Sequence, residues 1–259
     1  MVKVVTLVKQ TPDVEAIRID PKTGAPDLSG VGVKVSDYDK HAVEAAVQLK
    51  EKHAGSRVVA VSLGGPRLEE SVKEVLAMGC DEAVLLRDAA FADVDTAGKA
   101  ELLAKAIQKV GDVDLVLAAE ESADSHTAQT GPRIAEHLGW PLVSYVHAFK
   151  IEGTTVKAER ETDEGVEEIE CPLPAVLTIN ESTNTPRLPA LMQILQAKNK
   201  PMKVWSASDL GAAAQVPVLR RTKNVAPKME RKQQMITGDS IEDAARTLAK
   251  ELVKTGVVS

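Results

Sequence analysis

The sequence predicts an α/β fold: a doubly wound, mostly parallel sheet with helices on both faces, an antiparallel extension at one edge and a C-terminal arm. Three observations carry this. Short runs built almost wholly from Val, Leu, Ile and Ala recur, as in Val4–Val8, Val58–Leu63 and Leu115–Ala118, the pattern of strands buried on both faces. Segments with apolar residues at helical spacing alternate with those runs. Aromatic residues make up only 2% of the chain, so aliphatic side chains must form the core.

In order, Val2–Val8 reads as the first strand. Residues from Ile17 to Val35 read as a surface hairpin, because Ile17 and Ile19 alternate with polar residues before the turn Asp20-Pro21-Lys22-Thr23-Gly24. Ser36 or Asp37 caps a helix to about Lys52, with Tyr38, Ala42, Ala45, Ala46 and Leu49 at helical spacing. Strand Arg57–Leu63 follows, then a helix carrying Leu68, Val72, Val75 and Leu76 that ends at Gly79, a residue able to take the left-handed conformation. Glu82–Leu86 is a strand, Thr96–Val110 a helix and Asp114–Ala118 a strand; a loop over Ala119–Thr127 then leads into a helix over Ala128–Leu138. Right-handed crossovers in such an order place a ligand crevice at the carboxyl ends of the strands. The loops after Val8, Leu63 and Ala118 should therefore converge.

Beyond Pro141 the pattern changes to strands read as antiparallel: Ser144–Ile151, Thr155–Glu161, Val166–Cys171 and Ala175–Ile179, with Thr162-Asp163-Glu164-Gly165 as a hairpin turn. Leu188–Lys198 reads as a short helix entered through Pro186 and Pro189, and Trp205 and Leu210 dock the chain again. Residues 211–238 show no strong periodicity, two prolines and a run of basic residues, as an extended arm would. Ser240 caps a last helix with Ile241, Ala244, Ala245, Leu248 and Leu252 at helical spacing. The expected division is a nucleotide-binding α/β domain over 1–210 and an arm with its helix over 211–259.

The bulk properties exclude several classes. With 32 basic and 38 acidic residues among 259, the net charge is −6, and no basic stripe is available to track phosphates along a nucleic acid. The opening residues are too short an apolar run and too charged for a secretion signal, and no apolar run reaches membrane-spanning length, so a cytoplasmic protein without membrane insertion is expected. Cys80 and Cys171 have no CxxC pairing or nearby His, which argues against zinc and for buried thiols.

Chemistry points to the segment Ala119–Gly131. Its small residues leave backbone N–H groups free at a helix start, where unpaired donors and the positive end of the helix dipole attract phosphate, although many helices begin this way as plain caps. Lys9 at the first strand's end faces either phosphate or an acidic neighbour. No Ser-His-Asp set, GxGxxG or GxxxxGK[ST] run is present.

One stretch resembles a known family. In AERETDEGVEEIECPLPAVLT, Ala158, Arg160, Asp163, Glu164, Gly165, Glu167, Ile169, Pro174, Val176, Leu177 and Thr178 match the signature of the electron-transfer flavoprotein β subunit, whose fold is adenine nucleotide α-hydrolase-like. The resemblance implies a subunit of a heterodimer whose α subunit holds the main FAD, passing electrons from dehydrogenases or NADH to a quinone oxidoreductase or ferredoxin. It carries no substrate-transforming residue of its own. The nucleotide pocket it implies comprises Leu7, Ser36, Leu63, Ser122, Ala123, Asp124, Ser125, Thr127, Ala128, Gln129 and Thr130; His126, where related motifs carry an acidic or small residue, reads as a solvated loop histidine. The pocket's ligand is AMP or a second FAD. Thr127-Ala128-Gln129 before Gly131-Pro132, and Phe91, Asp95 and Thr96, resemble the electron-bifurcating pattern that uses the second FAD; an Asp-Thr pair is also an ordinary N-cap. Thr185–Lys198 resembles the loop that anchors the family to dehydrogenases, with Leu191 as the anchoring leucine, and the arm is expected to wrap the α subunit. The competing class is a stand-alone ATP- or AMP-binding protein of similar fold, which lacks a glycine-serine triphosphate loop here, since no Ser or Lys directly follows Leu63-Gly64-Gly65-Pro66.

Overall fold

Valine-rich segments dictate the centre of the computed structural model, which describes residues 1–212, 219, 221–227 and 233–258. Strand β1 (Lys3–Val8) is followed by an excursion in which β2 (Gln10–Pro12) pairs with β5 (Val33–Val35) and β3 (Arg18–Ile19) with β4 (Pro26–Asp27). The alternation of the main chain then begins: α1 (Asp37–Lys52), β6 (Arg57–Leu63), α2 (Leu68–Met78), β7 (Glu82–Leu86), α3 (Thr96–Val110), β8 (Leu115–Ala119) and α4 (Thr130–Leu138). The long β9 (Leu142–Glu152), β10 (Thr155–Thr162), β11 (Gly165–Pro172) and β12 (Ala175–Ile179) come next, then α5 (Leu191–Ala197), β13 (Met202–Trp205) and α6 (Ile241–Lys254).

Nine strands form one sheet in the order β11-β10-β9-β12-β8-β1-β6-β7-β13. Strand periodicity sorts side chains to its two faces. Val4 and Val8, Val58 and Ala60, and Leu115 and Leu117 lie in one core with Ala42, Ala46, Leu68, Val72 and Leu76 of α1 and α2. Val5 and Leu7, Val59 and Val61, and Val116 and Ala118 lie in the other, with Leu102, Leu103 and Ile107 of α3 and Ile134 of α4. The doubly wound reading thus holds, and every pairing between β12, β8, β1, β6, β7 and β13 is parallel.

Two sequence expectations are corrected. Ala175–Ile179 is not an antiparallel edge strand: β12 lies inside the sheet, parallel to both β8 and β9. All five of its residues are buried, and such an uninterrupted apolar run is what a strand covered on both faces needs. The antiparallel extension consists of β9, β10 and β11, with β9 turning from parallel pairing at its start to antiparallel pairing at its end. The second concerns β13, a parallel edge strand beside β7 where the sequence suggested only that Trp205 and Leu210 dock the chain again; both lie on the α3 face.

Gly79 ends α2 at φ 138°, and a Cβ there would stand 2.8 Å from Val47 of α1, so the residue serves both the turn and the approach of two helices. Residues 213–218, 220 and 228–232 of the expected arm lie outside the described residues. Ser240 caps α6 by accepting the Asp243 N–H. Among the described residues no helix is long and apolar enough to cross a membrane.

Candidate nucleotide site at the strand ends

The chain leaves β1 to form β6 on one side, and β8 comes in on the other, so the order reverses at β1 and opens a crevice beyond the carboxyl ends of β1 and β8. The loops expected there meet. Lys9 Nζ reaches Asp124 Oδ1 at 2.5 Å, Ser122 Oγ at 3.0 Å and Ser125 Oγ at 3.3 Å. The Ala123 N–H donates to Ser36 Oγ at 3.2 Å, and Gln10 Nε2 donates to Arg67 O and Ser71 Oγ, both at 2.8 Å. The acidic neighbour of Lys9 is thus realised. Burial opposes the charge on Asp124, but the hydrogen bond and charge of Lys9, with Ser122, hold its carboxyl below the usual range.

Between Asp124 and α4 the backbone is unusual. His126 and Ala128 take φ 44° and 50°, conformations non-glycine residues rarely adopt. They delay the helix, which starts at Thr130 rather than Ala128. They also turn the N–H groups of residues 127–131 away from any acceptor among the described residues. The side chains of Thr127, Gln129 and Thr130 make no hydrogen bond within the described residues either. Successive unpaired amides at a helix start form a concavity for an anion.

Gly131 sets how closely this helix start sits on the sheet: it is buried, and a Cβ there would meet Thr178 Cγ2 at 2.5 Å. Thr178 in turn accepts the N–H of Tyr145 through Oγ1 at 3.0 Å.

The other sequence candidates are placed as follows. The side chains of Leu7 and Leu63 pack into the α3-side core, which leaves only their backbone for the crevice. Asp95 accepts the Gly98 N–H and caps α3, and its other oxygen accepts the N–H of Leu219 at 2.9 Å; Thr96 begins that helix. His126 is solvated as expected, its Nδ1 donating to Glu121 Oε1 at 2.6 Å and its ring lying edge-on to Tyr38 at 5.7 Å; Glu121 raises its pKa. Leu191 is 71% exposed on α5, beside exposed Leu188, Met192, Ile194 and Leu195. That helix begins three residues later than expected, after Pro189. Its approach is pinned by Arg187, which bonds both oxygens of the buried Glu44 and both of Glu51 at 2.6–3.0 Å.

Sequence reasoning missed Asp39, which is buried and accepts the Lys9 N–H at 2.6 Å. Burial pushes its carboxyl up to about 8, against the opposing pull of Lys9. Its spacing to Ala42, Val43 and Ala46 on the inward stripe of α1 was the available signal. Lys99 was missed too, although it stands four residues before the inward Leu103. Both cysteines are buried and unpaired, and burial raises the Cys80 thiol to about 12. Among the described residues no three His, Cys, Asp or Glu side chains are placed to hold a metal.

Comparison with known proteins decides the family. Residues 27–210 match the electron transfer flavoprotein domain. The chain belongs to the electron transfer flavoprotein family. Its relatives include the caffeyl-CoA reductase-Etf complex subunit CarD of Acetobacterium woodii, 35% identical over 99% of this chain and 100% of the relative. The electron transfer flavoprotein subunit beta of Thermoanaerobacterium thermosaccharolyticum is 39% identical over 98% of this chain and 99% of its own. That of Clostridium acetobutylicum is 39% identical over 80% and 79%. Membership of this family makes the chain a component of flavoprotein electron transfer; the relatives named are themselves subunits.

Proposed function

We propose that this chain is the β subunit of an electron-transferring heterodimer and holds the adenylate part of a nucleotide at the ends of β1 and β8. The observation that carries the reading is the row of unpaired amides over residues 127–131, which follows directly on a turn that Lys9 and Ser36 hold through Ser122, Ala123, Asp124 and Ser125. The amides and the dipole of α4 would receive phosphate; aliphatic strand ends, rather than stacked aromatics, would receive the ring. The nucleotide is a second FAD in this reading, with AMP as the alternative. The start of α3 at Asp95 and Thr96, close to the same crevice, supports the larger ligand.

The main FAD belongs to the α subunit, and this chain shapes its surroundings without transforming a substrate. FAD bound here would supply redox chemistry; the side chains named above would bind, orient and neutralise it. The exposed apolar face around Leu191 docks the dehydrogenases that deliver electrons, and a quinone oxidoreductase or ferredoxin receives them. The cytoplasm is the expected compartment. The test is to denature the purified heterodimer and count what is released: two FAD and no AMP support the reading, one FAD with one AMP moves the ligand to the alternative, and one FAD alone overturns the nucleotide site.

A further inference from the structure

His126 has no role in the reading above, yet the amide row hinges on it. It stands immediately before the unpaired N–H groups of residues 127–131, with φ 44°. A residue with a Cβ keeps such a backbone only where its surroundings over-determine it. Three contacts do so here. The His126 N–H donates to Ser122 O at 3.0 Å, its Nδ1 donates to Glu121 Oε1 at 2.6 Å, and its ring stands perpendicular to that of Tyr38 with 5.7 Å between centroids. Both ring partners are fixed to the body of the fold. Tyr38 lies in the first turn of α1, and Glu121 follows Glu120, whose N–H donates to Ile179 O of β12 at 3.1 Å. The imidazole thus ties the loop to a helix on one side and to the sheet on the other.

Two of the three contacts belong to a side chain that titrates near neutral pH. A hydrogen bond from an imidazolium to a carboxylate is roughly twice as strong as one between neutral groups. The other charges nearby are already engaged or absent: Asp124 is paired with Lys9 at 2.5 Å, Glu120 accepts from Asn180 Nδ2 at 2.8 Å, and burial, followed by Glu121, Glu181 and Glu120, keeps the Tyr38 hydroxyl un-ionised. Glu121 is left as the partner that decides the proton's place. Its hydrogen bond, against a smaller opposing effect of burial, holds His126 above the usual histidine range. With a raised folded value, the extra hold is complete below the ordinary histidine value and is lost as pH rises through the raised one.

We propose that His126 is a positioning residue for the nucleotide, a proton-operated clasp that fixes the amide row when charged and loosens it when neutral. The inference rests on the nucleotide-binding reading and adds regulation to that same site. Phosphate binding takes up a proton at His126, and binding weakens over the pH range in which His126 gives it up. By reciprocity, bound phosphate makes His126 harder to deprotonate.

The test is calorimetric titration with AMP of the heterodimer cleared of the nucleotide in this chain, at about pH 6 and about pH 9, on either side of the histidine range. His126→Asn is measured alongside, since asparagine accepts the left-handed backbone and does not titrate. The ionisation of the AMP phosphate is common to both proteins, so the difference between them is the readout. Across that range the AMP affinity of the parent falls about fivefold relative to the variant. Among the five histidines, the ring resonance missing from His126→Asn identifies His126 in NMR spectra of the parent; its pKa rises when AMP is bound and drops in Glu121→Gln. An equal or reversed pH dependence in parent and variant, or a His126 pKa that AMP does not move, overturns the clasp while leaving the nucleotide site standing. AMP that binds at neither pH overturns the nucleotide reading and the clasp with it.

Discussion

The segments Ser122–Gly131 and Thr185–Ala197 differ in what they do with their side chains. The first turns its polar groups inward on itself: Ser122, Asp124 and Ser125 close around Lys9, and Gly131 lies flush on Thr178. The second turns Leu188, Leu191, Met192, Ile194 and Leu195 outward and is held mainly by one guanidinium at its root. Small-ligand sites need donors fixed in place, which costs backbone strain and demands close packing. Docking faces need uncovered apolar area on a firm base. The contrast predicts that damage at the root of the second segment lowers stability, damage at its tip lowers docking alone, and damage beneath the first segment alters how stability depends on pH.

The largest effect is expected at Arg187. Burial works against the charge on Glu44, yet Arg187 and Gln48 hold its carboxyl below the usual range. Arg187→Met leaves that buried carboxylate without its cation, at a cost of about 3 kcal/mol near neutral pH. Because a lowered carboxyl pKa contributes stability that is present above the unfolded value and lost as pH falls through the folded one, the deficit should shrink in acid. Chemical denaturation of the variant at pH 7 and pH 4 checks this; an equal loss at both would mean the pair does not matter.

At the tip, Leu191→Ala should weaken docking to a dehydrogenase by about 2 kcal/mol, roughly thirtyfold. The melting temperature should not move, since the side chain is 71% exposed. Surface-bound affinity measurements alongside calorimetry separate the two, and a lowered melting temperature with unchanged affinity would make Leu191 part of the fold.

Asp39 carries the smallest expected change. Its carboxyl is raised from 3.8 to about 8, so between those pH values the folded chain holds a proton that the unfolded chain has released. Stability therefore falls as pH rises through that window, and the full penalty is present above it. Asp39→Asn keeps an acceptor for the Lys9 N–H and removes the titration. Its stability relative to the parent chain should rise as pH increases from about 6 to about 8; parallel stability curves would show that Asp39 does not titrate in that window.

The sheet was legible because its strands announce themselves: Val4–Val8 and Leu115–Ala119 admit only a doubly covered position. The same logic, applied to Ala175–Ile179, would have placed that strand inside the sheet; its neighbours in sequence, all antiparallel, drew it to the edge. Met202–Trp205 was illegible because an edge strand of four residues with two exposed carries no decisive periodicity. At the site, spacing pointed to the loop after Ala118 and to Lys9. It could not give the positive φ of His126 and Ala128, which arises where the tertiary fold forces a loop between two fixed ends.

The pairing of Gly131 with Thr178 has one more consequence. A methyl group of the strand that ends the family's signature stretch fills the room that any larger side chain on the helix would need, and the hydroxyl on the same carbon secures the bend at Tyr145. Seat and hairpin are thereby geared together through a single threonine: whatever tilts the long antiparallel tongue must also shift the floor beneath the first turn of α4. A nucleotide seated there as proposed would make its occupancy and the posture of the tongue two readings of one mechanical coordinate.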